Sequence, residues 1–600
     1  SAETPSRECE ELWIATILRS ASGFDAEEVR AMDESSEKSF PGSGRPNVIL
    51  AGPMGCGKTT VGEALALRLG MPFLDTDRLI EADAGRSIRE IFETKGEAGF
   101  RALERGAVRK ACHLRNTVVA VGGGALLDKR NLTLVKRSGV TIGLCASPEV
   151  ILERTRGDAN RPLLSGAPEE KRLFQIRELL DKRRPSLEGL DCVIDTSSRD
   201  APECVRIALA FLEERRFPAI YSRPEKAAAS LGVRTVQVSL PGGNSYSVWV
   251  GEGVLARCGA VLWDVEAARG LRIDQVLVVT NHLLNLLYGA TLRASLTEAG
   301  FRTCTLGLPD GEARKSLGTA RRVYDYMASK GMGRDTLVLA LGGGVVGDLA
   351  GFVAATYMRG VPFMQIPTSL LAQVDASVGG KVAVNHPAAK NLIGSFYQPL
   401  AVLADTRVLE SLPEREYVEG LAEVVKYGIA IDAEFFEFLE NNAVALLRRD
   451  RAVLSEVVAR CCEIKASVVE RDEKDRAQRA VLNLGHTIGH AIEAASGYGR
   501  VRHGEAVSVG MSLAMKISQK MGLMAESDVL RGIGLLQKLG LPTETASSLD
   551  SLRPFLALDK KSRGGKMTFV LPAGIGKCAE AMGIEPALVE EVLVPSGRLR

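Results

Sequence analysis

Hydrophobic positions fall into distinct rhythms along this chain. Short unbroken apolar runs at residues 48–51 (VILA), 118–121 (VVAV) and 275–280 (QVLVVT) read as strands covered on both faces, and residues 335–360 run strand, glycine turn, helix. FLDTD at residues 73–77 ends a further apolar run. Apolar residues every three or four positions predict helices over residues 61–69, 418–429 (VEGLAEVVKYGI) and 482–495, and GEAGFRALE places Arg101 on another. Strict alternation in TVQVSL and YSVWVG predicts a hairpin turning at residues 241–244. Strand, glycine turn and helix follow one another repeatedly, the order of an α/β protein.

Breaks in these rhythms divide the chain. Residues 1–45 start acidic, end in the turn-rich SFPGSGRPN and read as an extension with one helix over residues 8–20. Residues 216–233 hold two prolines and an alanine-rich stretch without periodicity, as a linker does. The expected organisation is therefore an extension (1–45), a first domain (46–215), a linker (216–233), an α/β domain (234–405) and a helical domain (406–600). At 600 residues there is ample chain for several cores. No run approaches the roughly 20 apolar residues that span a bilayer; the most apolar stretch, 336–358, is interrupted by Asp348 and several glycines. Lys plus Arg (76) nearly balance Asp plus Glu (74), so charge makes no case for nucleic acid or an anionic membrane. Eleven scattered cysteines form no C-x-x-C pair, which fits a reducing cytoplasm.

The first chemistry follows the first strand. GPMGCGKTT (residues 52–60) is a phosphate-binding loop set between strand and helix. Gly52, Gly55 and Gly57 let backbone N–H groups close on the phosphates of a nucleoside triphosphate, Lys58 reaches the terminal ones, the Thr59 hydroxyl can ligate Mg²⁺, and Thr60 follows in the same nucleotide-binding stretch. Later, Gly342, Gly344 and Gly347 fit G-x-G-x-x-G, but PFMQIPTSLL occupies the region where an acidic ribose ligand belongs; a variant dinucleotide fold is the better reading.

Of six histidines, three lie within residues 483–504. His486 and His490, four apart, leave one face of a helix, as ligands of zinc do. Glu419 and Glu423 share a face of the helix at 418–429, with Lys426 a turn beyond Glu423, and offer the carboxylate that such a site needs. Taken singly, these residues read better as hydrogen-bonded histidines and a solvated acidic face; the clustering of three histidines in one window reverses that preference.

The order FLDTD, GEAGFRALE, VVAVGGGAL, NRPLL and KRRP after a phosphate-binding loop resembles shikimate kinase over residues 47–215. The resemblance implies a nucleoside-monophosphate-kinase-like parallel sheet. It makes Asp77 the base or orienting group for the acceptor hydroxyl, places Arg101, Gly123 and Arg183 on shikimate, with Arg184 as the alternative to Arg183, and sets Arg161 on a lid over ATP.

GGGVVGDLAGFVAATYMRG, QIPTSLLAQVDASVGGKVAVNH, AAKNLIGSFYQP, AEVVKYG, LNLGHTIGHA and HGEAV strongly resemble 3-dehydroquinate synthase. That implies a Rossmann-like α/β domain followed by a helical metal-binding domain, with NAD contacted by Glu312, Lys315, Gly343, Gly344, Val345, Asp348, Thr368, Ser369 and Lys390. Glu423, His486 and His503 become the ligands of Zn²⁺ or Co²⁺, which moves His490 from the metal to the substrate. Arg359, Lys381, Lys426, Lys465, Arg479 and Lys560 (or Lys561) become the cations for a substrate with a carboxylate and a phosphate; Asp375, Asn391, Asn483 and His490 are its polar partners. Lys381, Lys426 and His490 also join Lys58, Asp77 and Arg161 as the expected catalytic set. A homodimer through the second half is implied too. The chain is thus expected to be a cytoplasmic, two-activity enzyme of chorismate synthesis acting on small molecules. Two alternatives remain: a related sugar-phosphate cyclase in the second half, or a nucleotide-binding regulatory module without turnover in the first.

Overall fold

A computed structural model describes residues 45–156, 169–215, 217, 232–241, 244–387, 389–475, 478–497, 500–556, 567–579 and 582–593. The expected helix at 8–20, most of the linker, Arg161, Lys560 and Lys561 lie outside the described residues. The chain forms two compact units, divided near Tyr221.

The first unit is built on a parallel sheet of five strands, β1 (Asn47–Ala51), β2 (Phe73–Asp75), β3 (Val118–Ala120), β4 (Gly139–Cys145) and β5 (Cys192–Asp195), in the order β2-β3-β1-β4-β5. Val48 lies opposite both Val118 and Val140. Helices α1 (Lys58–Leu69), α2 (Thr76–Ala84), α3 (Ile88–His113) and α4 (Glu169–Glu188) follow. Val48, Leu50, Leu65, Ile142 and Leu144 share one buried core, each side chain worth about 1.5–3 kcal/mol. Because β1 has β3 on one side and β4 on the other, a crevice opens outside its C-terminal end, where the phosphate-binding loop begins.

In the second unit seven strands run in the order β6-β7-β14-β11-β10-β8-β9. They are β6 (Arg234–Val238), β7 (Tyr246–Gly251), β8 (Gln275–Asn281), β9 (Arg302–Leu308), β10 (Thr336–Gly342), β11 (Phe363–Pro367) and β14 (Ala401–Asp405). Only β6 and β7, the expected hairpin, pair antiparallel. The chain doubles back at β10, so a second crevice opens beyond β8 and β10, in front of helix α5 (Gly344–Thr356). A separate antiparallel ribbon joins β12 (Lys381–His386) to β13 (Ala389–Phe396), and a small one joins β15 (Met567–Phe569) to β16 (Met582–Ile584).

Helices α6 (Glu414–Ala430), α7 (Arg451–Arg471), α8 (His486–Ala495) and α9 (His503–Lys520) carry the histidine-rich segment and its neighbours. The helix expected over 482–495 starts only at His486, because Gly485 adopts a left-handed φ of 81° and residues Gln478–Asn483 form a 3-10 turn instead. Two glycines set the helix spacing. A Cβ on Gly504 of α9 falls 1.9 Å from the Glu419 carbonyl oxygen of α6, and one on Gly510 falls 1.9 Å from the Gly485 oxygen. These helices therefore approach backbone to backbone. Among the described residues no helix is long and apolar enough to cross a membrane.

Candidate active sites

In the first unit Lys58 opens α1 and its ammonium donates to the Gly52 and Pro53 carbonyls, both at 2.9 Å. Gly55 and Gly57 hold left-handed φ values of 77° and 89°, a curvature that L side chains resist. The Thr59 hydroxyl donates to Asp75 Oδ2 at 2.9 Å; Thr60 is exposed. Asp75 also caps α2 by accepting the Asp77 amide at 2.9 Å. Asp77 is thus not itself the cap. Its Oδ1 is buried without a hydrogen bond, and burial, reinforced by the charge of Asp75, raises its pKa to about 6.

Asp77 and two guanidinium groups lie against successive glycines of the turn after β3. A Cβ on Gly122 would meet Asp77 Oδ1 at 2.6 Å, one on Gly123 would meet Arg183 Nη1 at 3.5 Å, and one on Gly124 would meet Arg101 Nη1 at 2.8 Å. The triple-glycine turn is what lets these groups close in. Arg183 is buried with Nε and Nη1 unbonded, and it lines a small pocket with Gly52, Gly122, Gly123 and Leu126. Burial, with Arg101 nearby, lowers its pKa. Arg184, the alternative, faces outward and pairs with Glu188 at 2.9 Å. Arg101 is held at 2.8 Å by Glu104, a buried acid that the sequence reading overlooked.

In the second unit Glu423 projects from α6 and is fully buried. Its Oε2 pairs with Lys426, one turn on; its Oε1 accepts no hydrogen bond, yet His486 Nε2 and His503 Nε2 each stand 3.6 Å from it. Ligand atoms on a tetrahedral ion with bonds of roughly 2.1 Å are about 3.4 Å apart, so this trio fits a zinc-sized cation. Each imidazole also has its Nδ1 engaged, His486 with the Leu484 carbonyl at 3.2 Å and His503 with Glu493 Oε2 at 2.9 Å, which turns both Nε2 atoms toward Glu423. Burial lowers the His486 pKa to about 3 and keeps its ring neutral, the form that ligates metals. For His503, burial is outweighed by Glu423 and Glu493, and the pKa rises to about 10. His490 shares the α8 face with His486, their ring centroids 5.3 Å apart, but is exposed. With Glu493 and His503 it makes a second group of close ligand atoms. Glu419, the other candidate carboxylate, pairs instead with Arg502 at 3.1 Å.

Beside Glu423 runs a buried chain of charges. Lys426, Lys465 and Arg479 are 2%, 5% and 3% exposed. Lys465 binds Asp375 Oδ1 at 2.6 Å, and Tyr427 donates to the same oxygen at 3.1 Å. Burial opposes the charge on Lys426, but Glu423 and Asp375 hold its pKa above the ordinary lysine value. Asn483 ends the turn ahead of α8. Lys381 is half exposed and pairs with Asp475, and Arg359 is exposed after α5 with φ at 68°; neither makes a hydrogen bond to the buried chain among the described residues.

The nucleotide candidates line the second crevice. Gly343 and Gly344 form the turn into α5, which also carries Val345 and Asp348. Thr368 donates its amide to the Gly342 carbonyl at 3.1 Å, and Ser369 Oγ would lie 3.3 Å from a Cβ on Gly343. Lys315 is buried between Asp348 and Asn391, so Asn391 stands on this side rather than with Lys465 and Asp375. Glu312 accepts Asn385 at 2.7 Å, and Lys390 meets Glu493 Oε1 at 3.2 Å. Glu493, buried at the junction, was also overlooked in the sequence. The available signal was its place seven residues after His486 and three after His490, on the same helix face.

Comparison with known proteins agrees with this division. The family model described as shikimate kinase matches residues 54–213, and those described as 3-dehydroquinate synthase N-terminal and C-terminal match residues 305–419 and 420–562. A 3-dehydroquinate synthase of Pelobacter propionicus is 47% identical over 358 residues, 59% of this chain and 97% of that protein. Among solved structures, a 2-epi-5-epi-valiolone synthase from Streptomyces hygroscopicus with NAD⁺ and Zn²⁺ bound is 29% identical, covers 58% of this chain and 95% of its own, and has a TM-score of 0.53. A shikimate kinase from Acinetobacter baumannii in complex with shikimate is 38% identical and covers 29% and 95%, with a TM-score of 0.28. The chain therefore belongs to the 3-dehydroquinate synthase family and, with a shikimate kinase ahead of it in the same polypeptide, is a bifunctional enzyme of the shikimate pathway.

Proposed function

We propose that the first unit transfers the terminal phosphoryl group of ATP to shikimate, giving shikimate 3-phosphate. Asp77, with its raised pKa, takes or orients the proton of the acceptor hydroxyl. Arg183, Arg101 and Gly123 hold the shikimate carboxylate and hydroxyls, and Lys58 and the loop amides hold the phosphates. Such a transfer asks mainly for positioning and charge neutralisation. Thr59 would hold Mg²⁺ together with ATP, and Arg161 would act on the lid.

The second unit, on this reading, converts 3-deoxy-D-arabino-heptulosonate 7-phosphate to 3-dehydroquinate with release of phosphate. The observation that carries it is the unbonded, buried Glu423 Oε1 facing two imidazole nitrogens beside a chain of buried cations. Zn²⁺ or Co²⁺ held by Glu423, His486 and His503 supplies, when bound, a Lewis acid at the hydroxyl to be oxidised, and NAD⁺ supplies the hydride acceptor. Glu312, Lys315, Gly343, Gly344, Val345, Asp348, Thr368, Ser369 and Lys390 would hold the dinucleotide. Lys426, Lys465, Arg479 and Lys381, with Arg359 and Lys560, neutralise the substrate's carboxylate and phosphate; Asp375, Asn483 and His490 orient its hydroxyls, and Asn391, bonded to Lys315, would reach the substrate only from the dinucleotide side. The reading takes residues 234–405 as the dinucleotide domain and 406–600 as the metal domain, in a cytoplasmic homodimer.

The test is metal analysis of the full chain together with identification of the product formed from the heptulosonate phosphate. Appearance of 3-dehydroquinate with one equivalent of metal is the expected result; a different carbocycle identifies a related cyclase and overturns the assignment.

A further inference from the structure

One carboxylate joins the two halves of the second site. Glu493 on α8 is buried and gives each of its oxygens to a different partner: Oε2 to His503 Nδ1 at 2.9 Å, at the start of α9, and Oε1 to Lys390 Nζ at 3.2 Å, on the ribbon strand β13. His503 can only donate through Nδ1 to a carboxylate, so this bond keeps one proton on Nδ1 and leaves Nε2, whose own proton a metal would displace, for the cation it would share with Glu423. Lys390 belongs to the dinucleotide contacts in the reading above.

We propose that Glu493 is a positioning residue that couples the metal to the dinucleotide, so that each of the two ligands binds more tightly when the other is present. The inference rests on the metal and NAD reading of this pocket. The physical sequence is short. A cation on Nε2 makes the Nδ1 proton a stronger donor, and the bond to Glu493 tightens and fixes the carboxylate. Glu493 Oε1 then holds the Lys390 ammonium in one orientation toward the crevice. By linkage the effect runs equally in reverse. The rival arrangement is the group His490, Glu493 and His503 as a metal site of its own. A cation there would compete for the Glu493 carboxylate that already holds His503 Nδ1 and the Lys390 ammonium.

The experiment uses the full chain and four proteins: wild type, Glu493→Gln, Lys390→Met and His490→Ala. Zinc affinity is read by competition with a chromogenic chelator, with and without saturating NAD⁺, and NAD⁺ affinity by equilibrium dialysis, with and without zinc; melting curves check folding. In the wild type, each ligand is expected to raise the affinity of the other by roughly fivefold to a hundredfold. Glu493→Gln loses about 10–100-fold in zinc affinity and erases the coupling. Lys390→Met, which leaves the His503–Glu493 bond intact, keeps its zinc affinity without NAD⁺ but also loses the coupling. His490→Ala binds zinc within about twofold of wild type. The proposal is overturned if zinc and NAD⁺ bind independently in the wild type, if Glu493→Gln stays coupled, or if His490→Ala loses zinc as severely as Glu493→Gln. A wild-type chain that takes up no zinc overturns instead the metal reading beneath it.

Discussion

Asp75 accepts the backbone amide of Asp77 at 2.9 Å, and the cap so formed holds Asp77 in the first turn of α2, with Oδ1 buried against Gly122 and unbonded. The rise of its pKa from 3.8 to about 6 corresponds to roughly 3 kcal/mol. The folded chain holds this proton more tightly than the unfolded one. The stabilising contribution is therefore complete below the unfolded value near 4 and is lost as pH rises through about 6. Asp77→Asn is expected to lower shikimate phosphorylation by about 10²–10⁴-fold while raising the unfolding temperature of the first unit at pH 7.5 and leaving it unchanged at pH 4. Calorimetry at the two pH values checks the sign. In the wild type, the kinase rate falls as pH drops through about 6.

Arg183 and Arg184 are neighbours with opposite surroundings, one buried at the pocket and the other paired with Glu188 at the surface. Removing a charge-assisted hydrogen bond costs about 1.5–3 kcal/mol, or roughly 10–100-fold. Arg183→Ala should lower kcat/KM for shikimate by that factor, and Arg184→Ala should stay within about twofold. The opposite pattern would exchange the two assignments.

Lys58→Ala should abolish ATP-dependent phosphorylation and leave heptulosonate phosphate turnover intact. Glu423→Gln should do the reverse, with loss of metal from the purified chain. Running both assays on both variants is the check, and a kinase that survives Lys58→Ala would sink the phosphate-binding assignment.

Gly504→Ala puts a methyl group 1.9 Å from the Glu419 carbonyl, against main chain that cannot swing away. A loss of roughly 1–3 kcal/mol or more is expected from denaturant melts, with weakened zinc retention because Glu423 and His503 are held by these helices. Gly534→Ala, with nothing within 4 Å of its Cβ, serves as the contrast and should gain about 0.5–1 kcal/mol.

Local chemistry was legible in the sequence where it is carried by contiguous residues: the phosphate-binding loop, the glycine turn after β10, and the shared face of His486 and His490. What could not be read was set by distance along the chain. Glu423 and His503 are 80 positions apart, and no periodicity brings them together; only the resemblance implied it. The choice between Arg183 and Arg184 depends on how α4 is rolled, and that is a packing outcome. Helix α8 begins four residues later than its apolar pattern predicts because a left-handed Gly485 ends the preceding turn. Glu493 went unnoticed because an acid on an amphipathic helix ordinarily faces water, whereas here it is buried between a histidine of the next helix and a lysine 103 positions earlier.

The largely buried chain of Lys426, Lys465 and Arg479 with Glu423 and the partly exposed Asp375 holds three positive groups and two negative ones, an excess of one positive charge largely shielded from water. A sugar of the right size but without acidic groups would leave that excess uncancelled and would forfeit the hydration its own hydroxyls enjoyed outside. Discrimination at this pocket then comes as much from turning away uncharged look-alikes as from welcoming the anion.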